Sequence, residues 1–141
     1  MLDLTMYQTS LLWVGILLAV IILQWLIAAY AKASEPGAIP GQPPRAFGHA
    51  HFAFRAWRTH QNSLENASTM VGGAIFAILA GANPAWLQGL LAIMVVSRIA
   101  HMALYYSIAT DKNPSPRSYF FMISWLANVA VIVLGIIAII V

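Results

Sequence analysis

Four long apolar runs leave this chain few folds to choose from. They cover residues of about 7–30, 58–81, 84–108 and 117–141. A bilayer core takes roughly 20 helical residues to cross, and each run is long enough. Backbone groups in lipid must find their partners within the segment, which admits helices or a closed barrel. The two-residue alternation of a barrel strand is absent, so the expected fold is all-α and integral to the membrane: a four-transmembrane-helix bundle, with 1–141 as a single domain. The first run carries no charge and exceeds a signal-peptide core. Only Asp3 precedes it, with no Lys or Arg, so it is expected to stay in the mature protein.

Composition closes off other classes. Charged residues make up 8% of the chain and hydrophobic ones 61%, against about 25% charged in a soluble domain. A net charge of +3 from seven basic and four acidic residues is too sparse for a nucleic-acid face. Without cysteine there is no disulfide, thiolate metal site or cysteine nucleophile. The histidines lack metal-ligand spacing with carboxylates, and His49 with His51, two apart in a loop, make a weak case. Asn66-Ala67-Ser68 fits a glycosylation sequon but lies within a predicted membrane helix, which marks it as a chance match.

The connections predict orientation. Residues 31–54 form the long loop, and Pro36, Pro40, Pro43 and Pro44 forbid a continuous helix there. Lys32, Arg45 and Arg55 fall in it, Lys112 and Arg117 flank the third connection, and the short second one (GANPAW) has no basic residue. The positive-inside rule then puts loops one and three in the cytoplasm and both termini on the opposite side.

The polar residues are gathered rather than scattered. In RAWRTHQNSLEN, at the mouth of the second run, Arg55, Arg58, Asn62 and Glu65 are spaced 3, 4 and 3 apart and share one helix face. The third run repeats the device with Arg98, His101 and Tyr105. Arg98 lies about 20 Å into its helix, where an arginine costs at least ~2.5 kcal/mol unless it meets a partner or a wet cavity. Glu65 is the sole acidic residue in any run, so Glu65 and Arg98 are expected to approach each other. Two readings remain open: a polar ligand site suited to a small zwitterion, or a structural ion pair with Arg55 and Arg58 reaching to lipid headgroups. Gly73, Ala77 and Gly81 form a small-residue stripe that suits close helix approach, between subunits or within one.

These motifs, RxxRxHxNxxEN opening the second run, RIAHMALYY in the third and PRS opening the fourth, resemble the MAPEG family, the membrane-associated proteins in eicosanoid and glutathione metabolism. The resemblance covers essentially the whole chain. It implies a homotrimer of four-helix subunits that binds glutathione as cosubstrate between adjacent subunits near the cytoplasmic side. Members conjugate or isomerise lipophilic electrophiles or reduce lipid hydroperoxides, and at least one binds lipid without catalysis. Carried onto this sequence, Arg58 would meet a glutathione carboxylate, Glu65 the glutamyl ammonium while also pairing with Arg98, and His60 the peptide backbone. Asn62, Arg98, His101 and Tyr105 would line the same site, with Arg117 and Ser118 beside the thiol as the catalytic pair. Gln61, Asn66, Phe121, Met122 and Trp125 depart from the prostaglandin- and leukotriene-synthase patterns, so the resemblance favours a transferase or peroxidase acting on a generic lipophilic electrophile or hydroperoxide. The alternative is a non-catalytic lipid- or thiol-binding membrane protein held together by a Glu65–Arg98 ion pair.

Overall fold

The structure, a computed structural model, describes residues 3–141. A single 3₁₀ turn at Leu4–Tyr7 leads into α1 (Gln8–Ala33), followed by α2 (Phe52–Leu79), α3 (Pro84–Ser107) and α4 (Pro116–Ile140). No strand occurs among the described residues.

Local chemistry sets the helix ends. Asp3 starts the first turn by accepting from the Thr5 amide at 3.0 Å and its hydroxyl at 2.6 Å. At the end of α2 the Gly81 amide donates to the Ile78 carbonyl and the Ala82 amide to that of Ala77, both at 3.0 Å. This is a Schellman cap, and it requires the left-handed φ of +75° that Gly81 supplies. Asn83 then accepts from the Ala85 and Trp86 amides, and Pro84 occupies the first turn of α3. The α2–α3 connection is therefore four residues long, and the helices reverse across it. Tyr7 ties the start of α1 to the same turn, donating to the Ala82 carbonyl at 2.7 Å.

The bundle runs up, down, up, down. Asn62 meets Arg98 and Arg55 meets Tyr106 across α2 and α3. Ser124 of α4 donates to the Met94 carbonyl of α3 at 3.0 Å. Asn128 of α4 donates to Thr69 of α2 at 3.0 Å. The core is small or flexible where helices are close (Ala74, Ala77, Met70, Met94) and branched elsewhere (Leu17, Leu87, Leu91, Val131). Large apolar side chains such as Leu12, Ile22, Trp25, Ile137 and Ile140 point outward, where lipid, not water, is the solvent.

Three helices, the first turn with α1, α3 and α4, are long and apolar enough to cross a membrane. α2 is as long, at 28 residues, but Arg55, Arg58 and Glu65 in its first half set it apart. It starts at Phe52, so Arg55 belongs to the helix and not to the preceding loop. The small-residue stripe packs within the subunit. A Cβ on Gly73 would lie 2.9 Å from Ile132, and one on Gly135 would lie 3.0 Å from the Ala77 backbone. Gly81 stands apart from this contact, as the cap.

Candidate functional site

The C-terminal ends of α1 and α3, the N-terminal ends of α2 and α4, and the loops 34–51 and 108–115 all meet at one end of the bundle. There a cleft of about 390 Å³ opens between α2, α3 and α4. Arg58 and Asn62 line it from α2, His101 and Tyr105 from α3, and Arg117 and Ser118 from α4. Six of the nine residues expected from the sequence are thus brought together. Asn113, Pro114, Phe121 and Met122 complete the wall, the last two making one side apolar.

The expected Glu65–Arg98 contact does not form. Glu65 is held instead by Arg58, two turns away on its own helix, with N–O distances of 2.7 and 3.4 Å. Both residues project from the same face of α2, and both are partly exposed, so the pair satisfies each without crossing the bundle. Arg98 is buried and spends its donors on α2: Nη1 on the Asn62 side-chain oxygen at 2.8 Å, Nη2 on the Asn62 carbonyl at 2.9 Å and the Ser63 hydroxyl at 3.3 Å. Its guanidinium also lies over Phe121, 5.6 Å from the ring centroid. Neutral oxygens, not a carboxylate, carry this cation. Arg98 therefore stands behind the cleft wall and orients Asn62.

His60 is also displaced from expectation. It sits two residues beyond Arg58, on the other side of α2. There it lines a second cavity of about 590 Å³ between α1, the 34–51 loop and α2, with Trp25, Trp57, Lys32 and Gln61.

Arg117 and Ser118 enter from the start of α4. Ser118 accepts from the Ser115 amide at 3.3 Å, and the two hydroxyls are 3.0 Å apart; its side chain is part of the helix cap as well as the cleft wall. The Arg117 guanidinium carbon lies over the Tyr105 ring, 4.1 Å from its centroid. Nη1 and Nη2 both donate to the Thr110 carbonyl at 3.2 Å. His101 donates Nδ1–H to the Arg117 carbonyl at 2.9 Å, which leaves Nε2 as an acceptor. That nitrogen is buried and has no partner among the described residues. A buried acceptor left open costs free energy, and beside a cleft it marks a place for a ligand's donor.

Two contributors lie outside the expected set. Arg55, the first residue of the polar stripe, is a clamp: Nη1 donates to the His49 and Ala50 carbonyls at 2.7 and 3.0 Å, and Nη2 to the Tyr106 carbonyl at 3.2 Å. It fastens the long loop to the end of α3. By doing so it delivers His49 to the cleft, where Nδ1 lies 3.1 Å from the Tyr105 hydroxyl and Nε2 3.5 Å from Arg117. Burial, then Arg117, lowers the His49 pKa from its ordinary 6.5, against the opposing pull of Asp111. Only the HAH spacing in the loop hinted at His49, and it pointed to metal; no group of three or more potential metal ligands occurs among the described residues.

No curated protein and no solved structure matches the chain. The model of the MAPEG family matches residues 10–137, which spans all four helices and every residue of the cleft. With its all-helical bundle, its membrane-spanning helices and the polar cleft at one end, the chain is an integral membrane protein and belongs to the MAPEG family.

Proposed function

We propose that this protein is a glutathione-dependent membrane transferase or peroxidase acting on a lipophilic electrophile or hydroperoxide, with Arg58, Asn62, His101, Tyr105, Arg117 and Ser118 forming the thiol site. The observation that carries this reading is the make-up of the cleft: Arg58, an open imidazole acceptor and a phenol from α2 and α3, and Arg117 beside Phe121 and Met122 on α4. A polar tripeptide thiol and an apolar partner could share such a space.

Bound glutathione would supply the nucleophile, its sulfur bonding to the electrophilic carbon as the leaving group departs and the thiol proton passes to water. The chain's own residues do the rest. Arg58 and Arg117 offer planar guanidinium donors to carboxylate or thiolate. A cation near a thiol lowers its pKa from about 8.5, and Arg117 is the cation at the apolar side of the cleft. Glu65 accepts from an ammonium once Arg58 turns to a ligand carboxylate, an exchange of partners that the exposed Arg58–Glu65 pair permits at small cost. Arg98 stays fixed and holds Asn62.

Family membership supports a homotrimer with the site shared between subunits. In this reading α2 is the fourth crossing, 1–141 is one domain, and the cleft end with five flanking basic residues faces the cytoplasm. In the non-catalytic alternative, a lipid- or thiol-binding membrane protein, the structural tie of Arg98 would be Asn62 and not Glu65.

Calorimetric titration of detergent-purified protein with glutathione tests the reading, with Arg58→Ala and Arg117→Ala alongside. Binding in the micromolar-to-millimolar range, weakened at least about tenfold by Arg58→Ala (one charge-assisted contact), is the expected result. Absence of binding at several millimolar overturns it.

A further inference from the structure

His49 belongs to no membrane helix, yet it touches the two residues that close the cleft. Its ring bridges Arg117 and Tyr105, and the chemistry of those partners determines where its hydrogen sits. An arginine only donates, so Nε2, 3.5 Å from Arg117 Nη2, must be the acceptor. The neutral ring then carries its hydrogen on Nδ1 and gives it to the Tyr105 oxygen 3.1 Å away. With that oxygen serving as acceptor, Tyr105 keeps its own hydrogen, and the phenol has no other partner among the described residues. Tyr105 lines the cleft, so this hydrogen is available to whatever the cleft holds.

We infer that His49 is a positioning residue: it orders the Tyr105 hydroxyl as a hydrogen-bond donor into the cleft, toward the sulfur of the bound thiol. The inference rests on the thiol reading above and adds to it a residue from the loop. The chain of donors runs Arg117 to His49 to Tyr105 and ends in the cleft. Each step hands on one hydrogen bond, and no proton is transferred along it.

Three further observations support the arrangement. The loop cannot drift, because Arg55 holds the His49 and Ala50 carbonyls. The ring is packed edge-on to Phe54 at 5.4 Å and against Tyr105 at 5.5 Å between centroids. The charged groups around it favour the neutral ring: Arg117 from α4 and Arg55 from α2 oppose a positive imidazole, and burial does so more strongly. Asp111 pulls the other way, but at 4.0 Å from Nε2 it is beyond hydrogen-bond reach, and its side chain is 87% exposed.

The test uses the full chain in detergent, with His49→Ala, His49→Asn, Tyr105→Phe and His49→Ala/Tyr105→Phe. The bound thiol's pKa is read from thiolate ultraviolet absorbance against pH. Loss of one hydrogen bond to an anion should raise it by about one unit. The expected result is that His49→Ala and Tyr105→Phe give this rise equally, that the double variant adds nothing, and that His49→Asn, whose amide N–H replaces Nδ1–H, restores the wild-type value. An unchanged thiol in His49→Ala beside a shifted one in Tyr105→Phe overturns the inference and leaves the thiol site standing, as do additive shifts. Histidine nitrogen NMR of the unliganded protein decides the same point without glutathione: a hydrogen on His49 Nδ1 is expected, and one on Nε2 overturns the inference. Failure of the wild type to bind glutathione would instead bring down the thiol reading, an outcome visible before any variant is compared.

Discussion

The partner of Arg98 is the most discriminating feature to perturb, because charge pairing and the observed geometry give different answers. Arg98 is 2% exposed and places Nη1 2.8 Å from the Asn62 side-chain oxygen. Asn62→Ala deletes that acceptor and leaves the bonds to the Asn62 carbonyl and Ser63 hydroxyl in place. One hydrogen bond from a charged donor is worth about 1.5–3 kcal/mol, and a buried setting keeps it from being weakened by solvent. For a chain of this size each kcal/mol moves the unfolding midpoint by roughly 3–4 °C, so Asn62→Ala should lose about 5–10 °C. The assay is a pair of double-mutant cycles in detergent, followed by tryptophan fluorescence, using Arg98→Met to remove the charge while keeping length. Asn62 with Arg98 should couple by about 1.5–3 kcal/mol. Glu65 with Arg98 should couple by no more than about 0.5 kcal/mol, because Glu65 makes no contact there and is already neutralised by Arg58. A Glu65–Arg98 coupling equal to or larger than the Asn62–Arg98 one would refute the geometry described above.

Other outcomes follow from the packing and from the loop. Gly135→Ala places a methyl 2.7 Å from Phe76 and 3.0 Å from the Ala77 backbone; the ring can turn but the backbone cannot, so a loss of about 1–3 kcal/mol is expected in the same unfolding assay. Gly81→Ala meets open space and costs only the left-handed backbone, about 1–2 kcal/mol, and a larger loss there would mean the cap is not the reason for the glycine. The His49 pKa is lowered in the folded chain, so the unfolded state takes up this proton first as pH falls below 6.5. Stability present above 6.5 is lost on acidification until the folded-state pKa is reached; the unfolding midpoint of the wild type should therefore fall more as pH drops from neutrality to below 6.5 than that of His49→Asn.

The helices were legible because lipid tolerates little else: run length and scarcity of charge gave α1, α3 and α4 within a few residues. α2 was harder to delimit. Its first two turns are polar on one face and aromatic on the others, so hydropathy placed the start near Arg58, whereas the helix begins at Phe52. Helical spacing correctly put Arg58 with Asn62, and His101 with Tyr105, on shared faces. It could not choose partners across helices. Charge alone favoured Glu65 for Arg98; the rotation of α2 presents Asn62 and Ser63 to it instead, and that rotation is fixed by small-residue packing on α4 at Gly73 and Gly135. His49 was illegible for a related reason. A loop side chain has no period to betray its direction, and it is aimed by Arg55, whose own role looked like that of a headgroup anchor.

The four-residue turn between α2 and α3 bears on how such a chain enters the bilayer. Arg55 with Tyr106, and Asn62 with Arg98, lie almost equally far from that turn along the two helices, so folding the hairpin at Gly81 brings both pairs into register at once. Arg98 alone would face lipid as an unsatisfied cation, at a cost of about 2.5–3.5 kcal/mol on insertion scales. Inserted as a hairpin, residues 52–107 carry the arginine together with its acceptors, before α4 has been added. Arg58, Asn62, His101 and Tyr105 are thus brought to the cleft by one segment of chain, with Arg117 and Ser118 joining from α4, and a single-residue insertion in α3 ahead of Arg98 would turn the rest of that helix by about 100° against α2 and unmake both pairings together.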